Sequence, residues 1–90
     1  MTIELIGYEV IGSEMEPSMI DGDMVWVDFS EEPEANAQDI ALIEVDGQSH
    51  VCRYTFYGQQ VLMIHDNGPI SVVKRDRVTI LGKIVSRTGM

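Results

Sequence analysis

Glu14, His50, Cys52 and His65 are the side chains of this sequence whose types carry chemistry, with Ser13 and Ser18 as nearby hydroxyls. A thiol, an imidazole and a carboxylate are the parts of a cysteine-protease triad. In such a triad the ring draws the proton from sulfur and the carboxylate orients the ring. His50 and Cys52 are two apart and share one face of any strand that carries them. Nothing in the sequence fixes Glu14 against them, and a free cysteine is commonly a small buried hydrophobe. His50, Cys52, His65 and Asp66 also raise a metal site. Their spacing lacks the paired ligands of zinc sites, so hydrogen-bonded or solvated side chains are the better reading, and no metal or other cofactor is expected. Ser13 and Ser18 would each need a neighbouring base, and Lys74 and Lys83 fall elsewhere in the pattern. Ser18 is expected to cap a short turn.

Glu14 belongs to the stretch GSEMEPSMIDGD, Gly12 to Asp23. Pro17 fits the first turn of a short helix. Gly22 is free to take positive φ, and the Asp23 carboxylate can accept backbone N–H bonds. This is a shaped loop with an acidic side chain near its start. Glu14 is either a solvated loop carboxylate or a recogniser of a basic partner.

The elements that must position this loop are strands. Ile3–Ile11 is apolar and β-branched, with Gly7 as a possible bulge. Met24–Phe29 alternates, with Val25, Val27 and Phe29 on one face and Met24, Trp26 and Asp28 on a partly wet one. IALIEV precedes Asp46-Gly47, a strong hairpin signal, and His50–Tyr57 is the returning arm. Gln60–His65, Ile70–Val73 and Val78–Val85 complete the set, and the tail from about Ser86 is expected to fray. Six or seven short strands punctuated by turns, with no long helical period, predict an all-β domain. A sheet this small is expected to be strongly bent, curling over to cover its edges.

Ninety residues make one domain, expected to span 1–90, with a thin core. Six Lys and Arg against fifteen Asp and Glu give a net charge of −9, which argues against direct nucleic-acid binding. Lys74, Arg75 and Arg77 are the one basic cluster, interrupted by Asp76 and best read as a solvated edge or turn. Cys52 is the single cysteine, so no internal disulfide forms, in keeping with a reducing cytoplasm. No stretch reaches the ~20 apolar residues of a membrane span, and MTIELIGYEV has no basic region of a signal peptide.

The loop resembles the nucleophile loop of the self-cleaving SOS and phage repressors, the LexA-like family, which is distantly similar to signal peptidases. The family loop reads Gly, a variable residue, Ser-Met-x-Pro, Thr or Ser, then four residues ending in Gly-Asp before a strand. Here Gly12, Met15, Pro17, Ser18, Gly22 and Asp23 fall in register. The Asp46-Gly47 hairpin and the closing Ile80-Leu81-Gly82-Lys83-Ile84-Val85 match as well. The likeness runs from about Glu4 to Arg87. It implies a small, bent β domain of the signal-peptidase-like type.

The resemblance also implies what has changed. The family activates a serine hydroxyl with a neutral lysine. Glu14 stands at the serine position and Cys52 at the lysine position, in Val51-Cys52-Arg53-Tyr54. A carboxylate has no proton to give up, and a thiol with an ordinary pKa near ~8.5 is no substitute for an amine base. Peptide cleavage is therefore expected to be absent, with Glu14 part-exposed at a cleft mouth, about a side-chain length from the strand of Cys52. The family's helix-turn-helix and its Ala-Gly cleavage dipeptide are not in this sequence. What the likeness leaves is an inactive interaction module, a homodimer or a partner of a repressor-type protein. Val78, Ile80, Ile84 and Val85 on an exposed last strand are the expected interface. The alternative is a hydrolase with a displaced nucleophile, Cys52 or Ser13.

Overall fold

The computed structural model describes residues 4–36 and 38–88. Seven strands follow in chain order: β1 Leu5–Glu9, β2 Met24–Asp28, β3 Ala41–Val45, β4 Gln48–Tyr57, β5 Gln60–Ile64, β6 Ile70–Lys74 and β7 Val78–Thr88. They form one antiparallel sheet in the order β1-β2-β7-β3-β4-β5-β6. The all-β expectation holds. The expected strongly bent, curled-over sheet does not: the order is open and ends at β1 and β6. Both outer strands have five residues, and short edges limit the exposed backbone that closure would otherwise have to cover.

The expected unpaired edge on the last strand is also corrected. β7 lies inside the sheet, hydrogen-bonded to β2 on one side and β3 on the other. Gly82 permits this, because a Cβ there would stand 2.8 Å from the Asp28 carbonyl oxygen and 2.9 Å from Val27 Cγ1. Two register shifts, opposite Leu42/Ile43 and Trp26/Val27, are taken up by Leu81 and Val85 as extra residues in β7. Ser86–Thr88, expected to fray, pair with Met24–Trp26. Gly89 and Met90 lie outside the described residues, as does Ile3, the expected start of the first strand.

The local signals explain the rest. Asp46 and Gly47 both have positive φ, 50° and 84°, the two-residue turn that matches strand twist. Gly7 makes no bulge: β1 pairs residue by residue with β2, and an added Cβ would sit 3.0 Å from Met24 Sδ and 3.1 Å from the Trp26 ring. Asp28 is buried rather than wet, accepting from the Ser30 N–H at 2.9 Å and the Ser30 hydroxyl at 2.6 Å. Those bonds hold its carboxyl below the usual range. The core gathers Val10, Met15, Met19, Val25, Ala41, Ile43, Cys52, Tyr54, Val61 and Met63. Among the described residues the one helical turn is Arg75–Arg77, not the segment at Pro17.

Candidate functional site

The loop from Gly12 to Asp23 is fastened at both ends by its own residues. Gly12, at φ 95°, donates its N–H to Asp21 Oδ1 at 2.7 Å. Gly22, at φ 92°, donates to the Val10 carbonyl at 2.8 Å. The buried Asp23 carboxylate accepts from the Ile20 N–H at 2.9 Å. Met15 and Met19 are buried and anchor the loop to the core, with the Met19 N–H on the Met15 carbonyl at 2.9 Å. Pro17 is exposed and follows a cis bond.

A second clamp comes from the β5–β6 turn. The Asn67 N–H donates to the Glu14 carbonyl at 2.7 Å, and Asn67 Nδ2 donates to the Ser13 carbonyl at 3.1 Å. Ser18, expected to cap a turn, instead donates its hydroxyl to Asp66. Asp66 also accepts from Arg53 Nε at 2.8 Å, and Arg53 Nη1 reaches the Gln38 carbonyl at 2.6 Å. The Arg53 guanidinium holds the Asp66 carboxyl low; burial opposes it with a smaller effect, and the Ser18 hydroxyl adds a further lowering.

These clamps aim Glu14 at His65. Nε2 of the ring lies 3.6 Å from Glu14 Oε2, an ion pair when the imidazole is protonated. The ring's other nitrogen, Nδ1, is 3.0 Å from the Pro69 carbonyl, which only accepts, so Nδ1 carries a hydrogen. The His65 side chain is 8 % exposed and that of Glu14 is 67 % exposed. Glu14 is thus at the surface, as expected. The sequence does not mark His65 as its partner, because fifty-one positions separate them and only the Asp66-Asn67-Gly68 turn joins them. The one signal in the sequence was that turn beside a histidine.

Cys52 is 0 % exposed and packs in the core opposite Ala41. Its thiol is pushed up to about 12, first by burial and then by the Glu14 charge. No triad forms from Cys52, His50 and Glu14, since the carboxylate faces His65. Ser13 is exposed, and among the described residues no hydrogen bond joins its hydroxyl to a base. No group of three or more His, Cys, Asp or Glu among the described residues is placed to hold a metal ion.

A cleft of about 170 Å³ lies beside the loop, lined by Tyr8–Gly12, Glu14, Met15, Leu42, Ser49–Val51 and His65. Glu14, His50 and His65 also line a second depression with Val45, Met63, Ser71 and Val73. The expected interface residues lie elsewhere: Val78, Ile80 and Ile84 are half-buried against the core, and Val85 is exposed. The basic cluster is engaged in part, with Arg75 3.9 Å above the Phe56 ring and Arg77 paired with Asp46. No helix among the described residues is long and apolar enough to cross a membrane.

A turn-clamped loop over an open antiparallel sheet, with a cleft at its side, defines a small all-β domain. The chain belongs to the Peptidase S24-like family, whose sequence model matches residues 3–85. It is similar to the LexA repressors of Streptomyces avermitilis, Streptomyces clavuligerus and Streptomyces coelicolor, each 33 % identical over 84 residues, 92 % of this chain. The chain spans about a third of the length of these relatives, 34–35 %.

Proposed function

We propose that this domain is a peptidase-like module without peptidase chemistry that acts through protein–protein association in repressor-type transcriptional regulation. The observation that carries the reading is Cys52: the residue that this reading sets at the family's base position is a fully buried thiol raised to about 12. At the nucleophile position that the same reading gives it, Glu14 offers an acceptor rather than a hydroxyl. A displaced nucleophile finds no support, since Cys52 is closed off and, among the described residues, no hydrogen bond joins the Ser13 hydroxyl to a base. Similarity to LexA repressors supports the regulatory setting.

The test is labelling with a serine-directed acylating probe, read by intact mass. No adduct is expected on the native protein from pH 7 to 9. A stoichiometric adduct on Ser13 or Cys52 would overturn the reading. The double substitution Glu14→Ser with Cys52→Lys, assayed on its folded fraction, is expected to gain labelling. A folded but inert double variant would break the assignment of positions 14 and 52 to the dyad.

Association with a second copy is the companion reading, and β6 favours it. This edge strand exposes Ile70 at 58 % and Val72 at 56 % and pairs with β5 without a bulge, and its one charged residue, Lys74, stands at its end.

A further inference from the structure

We infer that the outward face of the β4–β6 half of the sheet docks a partner protein through a segment that combines apolar side chains with carboxylates. The inference deepens the association reading and rests on it.

The strands supply the first part. Residues directly opposed in paired strands point to the same face. The register of β4, β5 and β6 sets Tyr57 and Lys74 at one end of this face, Leu62 and Val72 in the next row, and Ile64 and Ile70 beyond them. The alternate residues of β5, Val61 and Met63, are buried in the core, and Met63 lines the depression that Glu14 shares. The outward rows are therefore turned away from the loop and its cleft. Their apolar members are left uncovered: Tyr57 is 72 % exposed, Ile70 and Val72 are exposed, and Leu62 and Ile64 are half-buried. Adjacent aliphatic side chains with an exposed tyrosine at their margin have the composition of an interface centre rather than of a solvated sheet face.

Charge supplies the second part and says what covers the face. From Gln48 to Arg77 the chain holds four cations and two acids, a net charge of +2. The other sixty residues hold two cations and thirteen acids, a net charge of −11. Strands β4, β5 and β6 contain no acidic residue. Of the two acids in this segment, Asp66 is taken up by Arg53 and Ser18, and Asp76 lies beyond β6, in a depression with Gln59, Gln60 and Lys74. Lys74 is exposed and makes no ion pair among the described residues. The face is thus apolar with a cation at its margin, on a molecule that is otherwise acidic, and its complement is apolar and anionic. A nucleic acid fits less well, because the remaining −11 repels its phosphates. A second copy also fits less well, because a two-fold pairing sets the same patch, Lys74 included, against itself between bodies of net charge −9.

The test uses pools of end-blocked decapeptides with leucine fixed at two positions and Glu, Gln or Lys fixed between them. They are titrated against the full chain by fluorescence anisotropy and methyl NMR in 50 mM NaCl. The Glu pool is expected to bind ~3-fold tighter than the Gln pool, the scale of an exposed ion pair, with methyl shifts at Leu62, Ile70 and Val72. Lys74→Glu should reverse the preference toward the Lys pool, and an unchanged thermal midpoint would show that the fold is intact. Equal binding of the Glu and Lys pools would overturn the inference, as would a preference that Lys74→Glu leaves unmoved or shifts that spare these three methyl-bearing residues. Tighter binding of a 20-base-pair DNA duplex at the same methyls would overturn it in favour of nucleic acid, and shifts produced by raising protein concentration alone would overturn it in favour of a second copy. The absence of binding by any pool at millimolar concentration would also overturn it, and would leave association through other surfaces standing. Cleavage of the bound peptides, read by mass, would break the proposed loss of chemistry, while shifts at the three methyl-bearing residues would still support the docking face.

Discussion

Cys52 shows how a residue type that invites a chemical reading is settled by its surroundings. Burial is the first cause of its raised thiol and the Glu14 charge the second. With the value at about 12, about one molecule in ten thousand is thiolate at pH 8. Native protein is therefore expected to resist iodoacetamide at pH 8, while denatured protein labels fully. Glu14→Gln should leave native labelling equally slow, because burial remains. Rapid native labelling would put the sulfur outside the core. Tyr54 makes a second residue-scale case. Its buried hydroxyl donates to the Pro33 carbonyl at 2.7 Å, so Tyr54→Phe should cost about 1 kcal/mol in urea unfolding. At this scale the sequence exposed the loop's glycines, methionines and acids, since each works within a few residues of itself. It hid His65, Asn67 and Arg53, whose contacts with the loop or with Asp66 cross the chain.

Elements add the constraints that residue types do not carry. The strands were legible because alternation and turn residues are local, and the Asp46-Gly47 hairpin formed where its signal stood. The internal place of β7 was not legible, because it depends on Gly82 lying against Asp28 and Val27 of another strand. Gly82→Ala pushes a Cβ against backbone there and should cost about 1–3 kcal/mol, measured by the denaturation midpoint. An undiminished midpoint would contradict the close approach of β2 and β7. The clamp of the β5–β6 turn on the loop has a pH signature. The Asp66 carboxyl is lowered in the fold, chiefly by Arg53. Its contribution is complete above the ordinary carboxylate pKa and is lost as pH falls through the folded value. Between pH 5 and 2 the wild type should lose more stability than Asp66→Asn, which has no proton to gain at that position. Parallel pH profiles would remove Asp66 from the account.

At the scale of the whole molecule, an open sheet and an acidic surface act against each other. The two ends of the sheet are β1 and β6. β6 exposes Ile70 and Val72, ends on Lys74 and runs directly into Arg75 and Arg77, so it borders the least acidic part of a chain whose net charge is −9. A second copy approaching β6 edge to edge would pair antiparallel about a two-fold axis, against the long-range repulsion of two acidic bodies. Salt screens that repulsion within about 10 Å at 0.1 M and leaves the apolar contact unaffected. Self-association is therefore expected to be weak at low salt and to strengthen as salt rises, the reverse of a dimer held by ion pairs. Sedimentation equilibrium from 10 to 300 µM, at 50 and 500 mM NaCl, reads this directly. Val72→Lys should abolish the dimer, placing a cation on the edge strand opposite its own copy, while the equivalent charge at the exposed Val85 of the internal β7 should not. A monomer at every concentration and both salts would end the self-association reading, and a dimer that Val85→Lys disrupts and Val72→Lys spares would move the interface from the edge strand to the face of β7.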